Sequence, residues 1–240
     1  MLEQMPGQDT VVAGYRVQAL IGRGGMGTVY RAQEIESGRL VALKLMSDRP
    51  GSDDPGLGAR FRNEGRAQAS LEHPHVVTVY EAGESEGGLY LAMQLIDGPP
   101  LADLIREREL GARRALELLG QVADALDAAH AAGLVHRDVK PRNVLVGAHD
   151  HAYLADFGLT RRRAATAMTD SGALLGTVAY LAPEVIQGEE AGPASDRYAF
   201  AAMAFECLAG SSVFPRPSDT AVIFAQVNEP PPRISVRRPE

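Results

Sequence analysis

The segment 136–143 gathers three side chains whose types suit the chemistry of phosphate groups. Asp138 can orient a hydroxyl group and accept its proton, and Lys140 can neutralise the charge of a phosphoryl group. Asn143 offers an amide oxygen, a ligand that hard cations accept. Eighteen residues after Asp138 comes Asp156, which could mark only a turn before a glycine but which we interpret as the principal Mg²⁺ ligand. The pattern predicts phosphoryl transfer that needs a divalent metal.

The chain has only two lysines, Lys44 and Lys140, beside twenty-two arginines. A lysine kept in so arginine-rich a chain indicates a position where a compact ammonium group is needed and a planar guanidinium does not fit. Lys44 should share a strand face with Ala42, because alternate residues of a strand point the same way. A buried lysine needs a partner, and Glu64 on the next predicted helix is the natural one. Two unrelated surface lysines remain the alternative interpretation at this point.

The glycine-rich run 22–27 is followed by Thr28 and Val29, so it joins one strand to another and does not open a helix. A glycine flap between strands lets backbone N–H groups approach phosphate oxygens, because no side chain intervenes. Gly22, Gly24 and Gly27 fit the pattern G-x-G-x-x-G-x-V. For this run taken alone, a glycine hairpin without a ligand is the alternative.

Two halves of the chain, which differ in their predicted secondary structure, must position these residues. The first half favours strands at 15–21, 28–32, 40–46, 76–80 and 89–95, with one helix at 58–71. The second half favours helices, one of them marked by the apolar repeat Leu116, Leu119, Ala123, Leu126 and Ala129. Further helices are predicted at 194–208 and 219–227, and short strands at 144–146 and 152–155. A hinge-like joint at 97–100 separates a domain at 11–96 from one at 97–240.

Composition excludes several classes of protein. With 240 residues and 45% apolar content the chain can form a large globular core. A net charge of −7 argues against a general nucleic-acid binder. No run is apolar enough to span a membrane, and the segment 1–10 does not resemble a signal peptide. The single cysteine, Cys207, lies in an apolar run and predicts a buried, inert thiol in a reducing cytoplasm.

In this order the motifs resemble those of a bacterial eukaryotic-like Ser/Thr protein kinase, over about residues 11–230. They continue with Asp-Phe-Gly at 156–158, Ala-Pro-Glu at 182–184 and Asp-x-Tyr-Ala-Phe at 196–200. The resemblance implies an α+β, two-lobed fold with a β-rich N-lobe and an α-helical C-lobe. Kinases of this family continue with further helices, so the C-lobe is expected to miss its last helices. Glu184 is then expected to lack the arginine that usually pairs with it.

The resemblance implies a role for each matching residue in the first half. Gly22, Gly24 and Gly27 cover the phosphates of ATP, and Lys44 binds the α- and β-phosphates while paired with Glu64. Adenine contacts are implied for Ile21, Val29, Ala42, Met93, Gln94, Ile96 and Leu145.

For the second half, the resemblance implies that Asp138 positions the substrate hydroxyl and takes its proton. Lys140 contacts the γ-phosphate, and its place two residues after Asp138 matches the Ser/Thr kinases. Asn143 and Asp156 hold Mg²⁺. His136 is interpreted as a structural histidine and not as a catalyst.

Control by phosphorylation is implied by Arg137, which precedes the catalytic aspartate. A phosphate on the loop that follows would form charge-assisted bonds to it, and Thr169 and Ser171 are the preferred acceptors. Thr177 is where the family places a threonine near Asp138. The partners implied are proteins with Ser or Thr acceptors and a homodimer formed through the N-lobe, although no residue here shows the latter.

Two other functions remain as alternatives. A nucleotide-binding scaffold or pseudokinase is favoured only by the missing helices, since no catalytic position is degenerate. A small-molecule phosphotransferase is opposed by the segment 176–184, which resembles a platform for a peptide. The location expected is the cytoplasm, either for a free protein or for the cytoplasmic domain of a longer membrane-anchored one.

Overall fold

The computed structural model describes residues 6–24, 27–46, 57–85, 88–157 and 178–237. Thr169, Ser171 and Thr177 lie outside these ranges, so what is predicted for them stays a prediction. The chain forms two compact units. The first comprises Met1–Glu72 and Val77–Ile96, and the second comprises His73–Val76 and Asp97–Glu240.

An antiparallel sheet of six strands forms most of the first unit. Its strands are β1 (Val11–Val12), β2 (Tyr15–Gly24), β3 (Gly27–Glu34), β4 (Leu40–Met46), β5 (Val79–Ser85) and β6 (Gly88–Gln94), in the order β1-β2-β3-β4-β6-β5. Strands β4 and β6 are neighbours in the sheet, and one helix, α1 (Leu57–Ala69), lies between β4 and β5 in the chain.

The two faces of this sheet carry different side chains. One face forms a buried cluster of Tyr15, Val17, Tyr30, Ala32, Val41, Leu43, Tyr90 and Ala92. On the other face Lys44 is paired with Val29 of β3 and with Leu91 of β6, and Ala42 is paired with Met93. Since direct partners across a sheet share a face, Lys44 and Ala42 lie on the same side, as the alternation of the strand predicts.

A close backbone approach explains the last glycine of the glycine-rich run. A Cβ at Gly27 would stand 2.2 Å from the carbonyl oxygen of Leu45 on β4. Gly22, by contrast, has open space at its Cβ position. Gly27 is therefore required by the packing of β3 against β4, whatever else it does.

Helix α1 packs on the sheet through one narrow stripe. Phe61, Gly65 and Gln68 are buried and recur at spacings of four and three, which places them on one side of the helix. A Cβ at Gly65 would lie only 2.3 Å from the Cβ of Ala82 on β5. Helix α1 can pack this closely against β5 because position 65 carries no side chain.

The second unit is mostly helical, so the α+β class predicted from the sequence is confirmed. Its elements are α2 (Leu101–Arg106), α3 (Ala112–Ala131), β7 (Val144–Val146), β8 (Ala152–Leu154), α4 (Pro183–Ile186), α5 (Pro193–Ala209), α6 (Asp219–Asn228) and α7 (Ile234–Arg237). Short 3-10 turns lie at Pro141–Asn143, Ala148–Asp150 and Val178–Tyr180.

Helix α3 provides the apolar centre of this unit. Its buried residues recur every three to four positions: Ala115, Leu118, Leu119, Val122, Ala125, Leu126 and Ala129. The helix predicted from the apolar repeat is confirmed, although Leu116, the first residue of that repeat, is 59% exposed. The helix ends before Gly133, whose φ of 74° lies in the left-handed region that glycine adopts without strain.

The segment 73–76 belongs to the second unit, which corrects the strand predicted at 76–80. Val76 forms a parallel bridge with Leu154, and the carbonyl of His75 accepts from the N–H of Leu154 at 2.8 Å. The carbonyl of Pro74 lies 2.9 Å from Nε2 of His151. The start of the apolar run 76–80 is therefore bonded to the β7–β8 hairpin, and strand β5 begins only at Val79.

Helix α5 buries one side, which includes Ala199, Met203 and Cys207. Met203 and Cys207 are almost fully buried along it, and burial raises the pKa of the Cys207 thiol to about 12. The predicted burial of this thiol is confirmed, and a raised pKa makes the reactive thiolate scarce at neutral pH. Within the described ranges, no helix combines the length and apolar character needed to cross a bilayer.

The close packing of α1 against β5 is tested by Gly65→Ala, with Gly120→Ala as the matched control. Both glycines are helical, but Gly120 lies on the exposed side of α3 with nothing near its Cβ position. We expect Gly65→Ala to lower the free energy of unfolding by about 1 to 3 kcal/mol, because the new methyl group overlaps Ala82. Gly120→Ala should raise it by about 0.5 to 1 kcal/mol. Urea titration measures both, and equal stabilisation by the two substitutions would contradict the close approach.

Candidate active site

The three phosphate-chemistry residues of the segment 136–143 do form one cluster. Lys140 Nζ lies 3.0 Å from Asp138 Oδ2, and Nδ2 of Asn143 donates to the same oxygen at 3.1 Å. Nδ2 of Asn143 also donates to the backbone carbonyl of Asp138 at 2.8 Å. Asp138 and Asn143 are buried, so the two donors fix one orientation of the carboxylate and offset the cost of burying its charge.

A second carboxylate, that of Asp196, accepts hydrogen bonds from the backbone that leads into this cluster. Asp196 is 1% exposed and lies in the first turn of α5. Its Oδ2 accepts from the N–H of His136 at 2.7 Å, and its Oδ1 accepts from the N–H of Arg137 at 2.8 Å. Oδ2 also lies 2.8 Å from Nε2 of His130 on α3. One buried anion therefore ties α3 and α5 to the residues that lead into Asp138.

His136 braces the cluster from behind as a neutral imidazole. Its Nε2 lies 3.0 Å from the carbonyl oxygen of Ala155, which can only accept, so Nε2 carries the hydrogen. Its Nδ1 accepts from the N–H of Asp138 at 3.2 Å. The ring is fully buried, with its centroid 4.5 Å from that of Phe157, and burial lowers the pKa of His136. The structural role predicted for this histidine agrees with these contacts.

The β7–β8 hairpin brings Asp156 next to Asn143. Val144 pairs with Leu154, and the N–H of Ala155 donates to the carbonyl of Asn143 at 2.8 Å. Asp156 has a φ of 61° and Arg137 one of 64°. Non-glycine residues in this left-handed region are uncommon and cost free energy, and they occur preferentially at functional sites.

Asn143 and Asp156 fit a divalent cation. Because Nδ2 of Asn143 donates both of its hydrogen bonds to Asp138, the amide oxygen Oδ1 is the atom left for a metal. In the described part of the chain there is no group of three or more His, Cys, Asp or Glu suited to a metal. One carboxylate and one amide oxygen form a ligand set that Mg²⁺ accepts when phosphate oxygens and water complete its shell.

The first unit carries the residues predicted to contact the nucleotide. Val29, Ala42, Lys44 and Met93 share the face of the sheet described above. Helix α1 packs on that face, because Gly65 approaches Ala82 and Ala82 pairs with Leu91, the cross-strand partner of Lys44. Glu64 belongs to this helix, so the acid and the lysine lie on the same side of the sheet.

The remaining predicted nucleotide contacts lie at strand ends or in the other unit. Gly22 pairs with Val29, and Ile21 before it is 53% exposed. The N–H of Gln94 donates to the carbonyl of Thr78 at 2.8 Å. That N–H cannot also bind adenine, whereas the backbone of Ile96 forms no hydrogen bond with the residues described. Leu145 belongs to β7 of the second unit.

A cavity opens beside Asp138 in the second unit. Its lining includes Tyr180, Leu181, Val185, Ala191 and Ala199. These residues are mostly apolar, whereas Arg137, Asp138, Ser195 and Asp196 contribute polar groups to the same cavity.

The walls of this cavity are held by two carboxylates. Oε1 of Glu184 accepts from Oγ of Ser195 at 2.8 Å, so this carboxylate has a hydroxyl group as its partner. The hydroxyl of Tyr180 donates a hydrogen bond to Glu206 of α5. Burial raises the pKa of Glu206.

The role of Asp196 was not predicted, although its motif contributed to the resemblance. The one available signal is an aspartate at the start of an otherwise apolar helix, since a buried carboxylate needs partners. The partners themselves lie about 60 positions earlier in the chain, which is a separation that local patterns do not reveal.

The anchoring role of Asp196 is tested by Asp196→Ala. We expect the substitution to lower the free energy of unfolding by about 3 to 5 kcal/mol, because two buried N–H groups lose their acceptor. The control is Asp103→Ala, which removes a partly exposed carboxylate paired with Arg106 and should cost less than about 1 kcal/mol. Circular dichroism monitors the unfolding of both variants in urea. If Asp196→Ala does not fold, Asp196→Asn is measured in its place. Equal stability of the position-196 and position-103 variants would contradict the role.

The buried neutral His136 predicts loss of stability in acid. Its folded-state pKa lies below the ordinary value of about 6.5, so the unfolded chain binds the proton more readily. Stability from this group is present above pH 6.5 and declines as the pH falls below it, by at most about 1.4 kcal/mol per pH unit. His136→Gln should be less stable at pH 8 but should lose less stability between pH 7.5 and 5.5. A variant with the full wild-type slope would contradict this prediction.

Comparisons with known proteins agree with this geometry. The sequence-family model of the protein kinase domain matches residues 15–236 of this chain. The chain is 42% identical over 233 residues to serine/threonine-protein kinase PknE of Mycobacterium bovis, an alignment that covers 97% of this chain and 41% of that protein. It is 40% identical over 240 residues to serine/threonine-protein kinase PknD of Mycobacterium tuberculosis, covering 100% of this chain and 36% of that protein.

A solved structure is similar as well. The crystal structure of the Mycobacterium tuberculosis PknI kinase domain matches with a TM-score of 0.77 and 32% identity, covering 98% of this chain and 86% of that one. The chain spans about two fifths of the length of the curated relatives it matches. Its sequence and fold together show that the chain belongs to the protein kinase family, with bacterial Ser/Thr protein kinases as relatives.

Proposed function

We propose that this chain is the catalytic domain of a Ser/Thr protein kinase that transfers the γ-phosphate of ATP to Ser and Thr hydroxyls of proteins. The observation that carries the proposal is the cluster of Asp138, Lys140 and Asn143 around one carboxylate oxygen. A phosphoryl transferase needs little covalent chemistry from the protein and depends on positioning and charge. This cluster supplies both in a chain that belongs to the kinase family.

The proposed transfer uses Asp138 as the proton acceptor. The substrate oxygen attacks the γ-phosphorus, the bond from that phosphorus to the bridging oxygen of ADP breaks, and the hydroxyl proton passes to the carboxylate of Asp138. Lys140 lies 3.0 Å from this carboxylate, so its ammonium group can also neutralise charge on the phosphoryl group in transfer. The products are ADP and a phosphorylated Ser or Thr.

Members of the family use ATP with a divalent metal, and we propose Mg²⁺ as that metal here. Asp156 would supply a carboxylate oxygen and Asn143 its Oδ1. When bound, the ion would neutralise phosphate charge. The contribution of the chain is to hold the two ligands next to each other through the bond between Ala155 and Asn143.

The first unit is proposed to bind ATP. Gly22, Gly24 and Gly27 would cover its phosphates, and Lys44, paired with Glu64, would bind the α- and β-phosphates. For adenine we propose Ile21, Val29, Ala42, Met93 and Ile96, with Leu145 from the second unit. Gln94 is proposed to lie beside adenine through its position in β6. Its N–H does not bind adenine, because that group already donates to the carbonyl of Thr78.

Regulation is proposed to act through a phosphate on the loop after Asp156. Arg137 precedes the catalytic aspartate and would bind such a phosphate by charge-assisted hydrogen bonds. Thr169 and Ser171 are the proposed acceptors, and Thr177 is proposed to lie near Asp138.

Protein substrates are proposed because the bacterial relatives of this chain are Ser/Thr protein kinases. The net charge of −7 gives no support to nucleic acid as a partner. We propose the cytoplasm as the location, since ATP is available there and a chain with one cysteine needs no oxidising environment. A homodimer through the first unit remains a prediction.

Incubation with ATP and Mg²⁺ separates a kinase from a nucleotide-binding scaffold. We expect the wild-type chain to incorporate phosphate between Thr160 and Thr177, and EDTA to abolish this incorporation. Asp156→Ala should lower the rate by about 100-fold or more, because the phosphate charge is no longer neutralised. Lys44→Arg should keep the fold and lose most of the transfer, since the guanidinium is wider than the ammonium it replaces.

The control is Asp103→Ala, which changes a surface carboxylate of α2 and should keep the wild-type rate. Phosphate is located by mass spectrometry. A wild-type chain that binds ATP without transferring phosphate would favour the scaffold, and near-normal transfer by Lys44→Arg would contradict the assignment of that lysine.

A further inference from the structure

A buried glutamine of α6 has no role in the proposed transfer. Gln226 is 5% exposed, and a buried side-chain amide is costly unless both of its polar atoms are hydrogen-bonded. Its Nε2 donates to the backbone carbonyl of Val178 at 2.5 Å, and its Oε1 accepts from the hydroxyl of Tyr198 on α5 at 3.4 Å. The amide therefore joins α6 both to α5 and to the 3-10 turn Val178–Tyr180.

The carbonyl of Val178 has Gln226 as the closer of its two donors among the described residues. Val178 is buried, and its carbonyl oxygen also accepts from the N–H of Leu181 at 3.2 Å. A buried carbonyl that loses a donor loses stability. Without the amide, only the longer bond within the turn remains, and the turn is no longer bonded to α6 at this point.

Apolar packing alone leaves the direction of this turn undetermined. Tyr180 packs against a buried apolar cluster, which comprises Ala202, Val213, Phe214 and Ala225. Ala225 precedes Gln226 on α6, so the helix contacts the turn through one apolar and one polar residue. The hydrophobic effect has no preferred direction, whereas a hydrogen bond weakens when its angle changes. Gln226 thus supplies a directional constraint on the turn.

The constrained turn leads into one wall of the cavity beside Asp138. Tyr180 and the two residues after it, Leu181 and Ala182, line this cavity together with Asp138. The carboxylate of Asp138 is held by bonds of its own within the segment 136–143. A shift of the turn would therefore change the cavity beside the carboxylate without releasing the carboxylate itself.

We propose that Gln226 is a positioning residue, whose amide holds the turn Val178–Tyr180 in the place where it supports a polypeptide substrate beside Asp138. This inference rests on the proposed kinase function. Gln226 acts through the backbone of Val178 and does not contact the reacting atoms. Its loss should weaken the binding of the polypeptide while leaving the binding of ATP and the transfer step nearly unchanged.

The test uses Gln226→Met and a peptide with the sequence of residues 161–176, which carries the proposed acceptors Thr169 and Ser171. Methionine has a similar size but no amide group. We expect KM for the peptide to rise about threefold to tenfold, which corresponds to the loss of one hydrogen bond. The values of kcat and of KM for ATP should change by less than about twofold. Steady-state rates of phosphate transfer measure all three constants.

The matched control is Gln121→Met. Gln121 lies on α3, and its amide likewise bonds to two backbone groups, the carbonyl of Asp150 and the N–H of Ala152. Both substitutions should lower the free energy of unfolding, because each removes partners of backbone groups. A loss of stability alone lowers the amount of folded protein and hence the apparent kcat, but it leaves the KM of the folded chains unchanged. Gln121→Met should therefore keep the wild-type KM for the peptide.

Tyr198→Phe separates the two bonds of the amide. It removes the donor to Oε1 and keeps the bond to Val178, so KM for the peptide should stay within about twofold of the wild-type value. If Gln226→Met does not fold, Gln226→Asn is measured in its place, since its amide is one methylene too short to reach Val178. An unchanged KM for the peptide in the position-226 variant, or an equal rise in Gln121→Met, would overturn the inference.

Binding separates this inference from the proposed function. A version of the peptide with Ala in place of each Thr and Ser is titrated against the wild-type chain and Gln226→Met by fluorescence anisotropy. Weaker binding to Gln226→Met, without any transfer by the wild-type chain to the parent peptide, would support the inference and contradict the kinase proposal. Transfer by the wild-type chain, with equal binding of the peptide to both proteins, would overturn the inference alone.

Discussion

The candidate catalytic segment 136–143 depends on one interaction above all, the hydrogen bonds to the carboxylate of Asp196. This carboxylate is buried at the start of α5 and binds two backbone N–H groups and one imidazole nitrogen. A buried charge is costly unless it is fully hydrogen-bonded, and here each bond goes to an element that the site needs. Since the two N–H groups belong to consecutive residues, the carboxylate fixes the direction of the chain as it enters Asp138.

From Asp196, a chain of hydrogen bonds leads to the groups that are proposed to react. His136 links the segment to Ala155, and Ala155 is bonded in turn to Asn143. Asn143 then holds the carboxylate of Asp138. Arg137 can keep its left-handed backbone because bonds on both sides determine it. The proposed proton acceptor and metal ligands are thus positioned by a network within one unit.

Much of this arrangement could be predicted because it is local. The bounds of β4 and β7 agree with the predicted strands, and alternation places Ala42 and Lys44 on one face. What failed depended on contacts distant in the chain. The run at 76–80 is divided because Val76 forms a bridge with Leu154, and the helical repeat did not show that Leu116 would be 59% exposed. Similarly, the role of Gly27 in strand packing and the bonded state of the Gln94 N–H follow from neighbouring strands.

The most direct test of the account is hydrogen exchange at the amides of His136 and Arg137. If Asp196 holds these groups, they exchange only when the second unit unfolds, with protection close to its free energy of unfolding. The amides of the α3 centre, around Val122, provide the reference for that limit. Exchange of the two amides at the rate of an unstructured peptide, while those of α3 remain protected, would contradict the claim that the buried carboxylate organises the site.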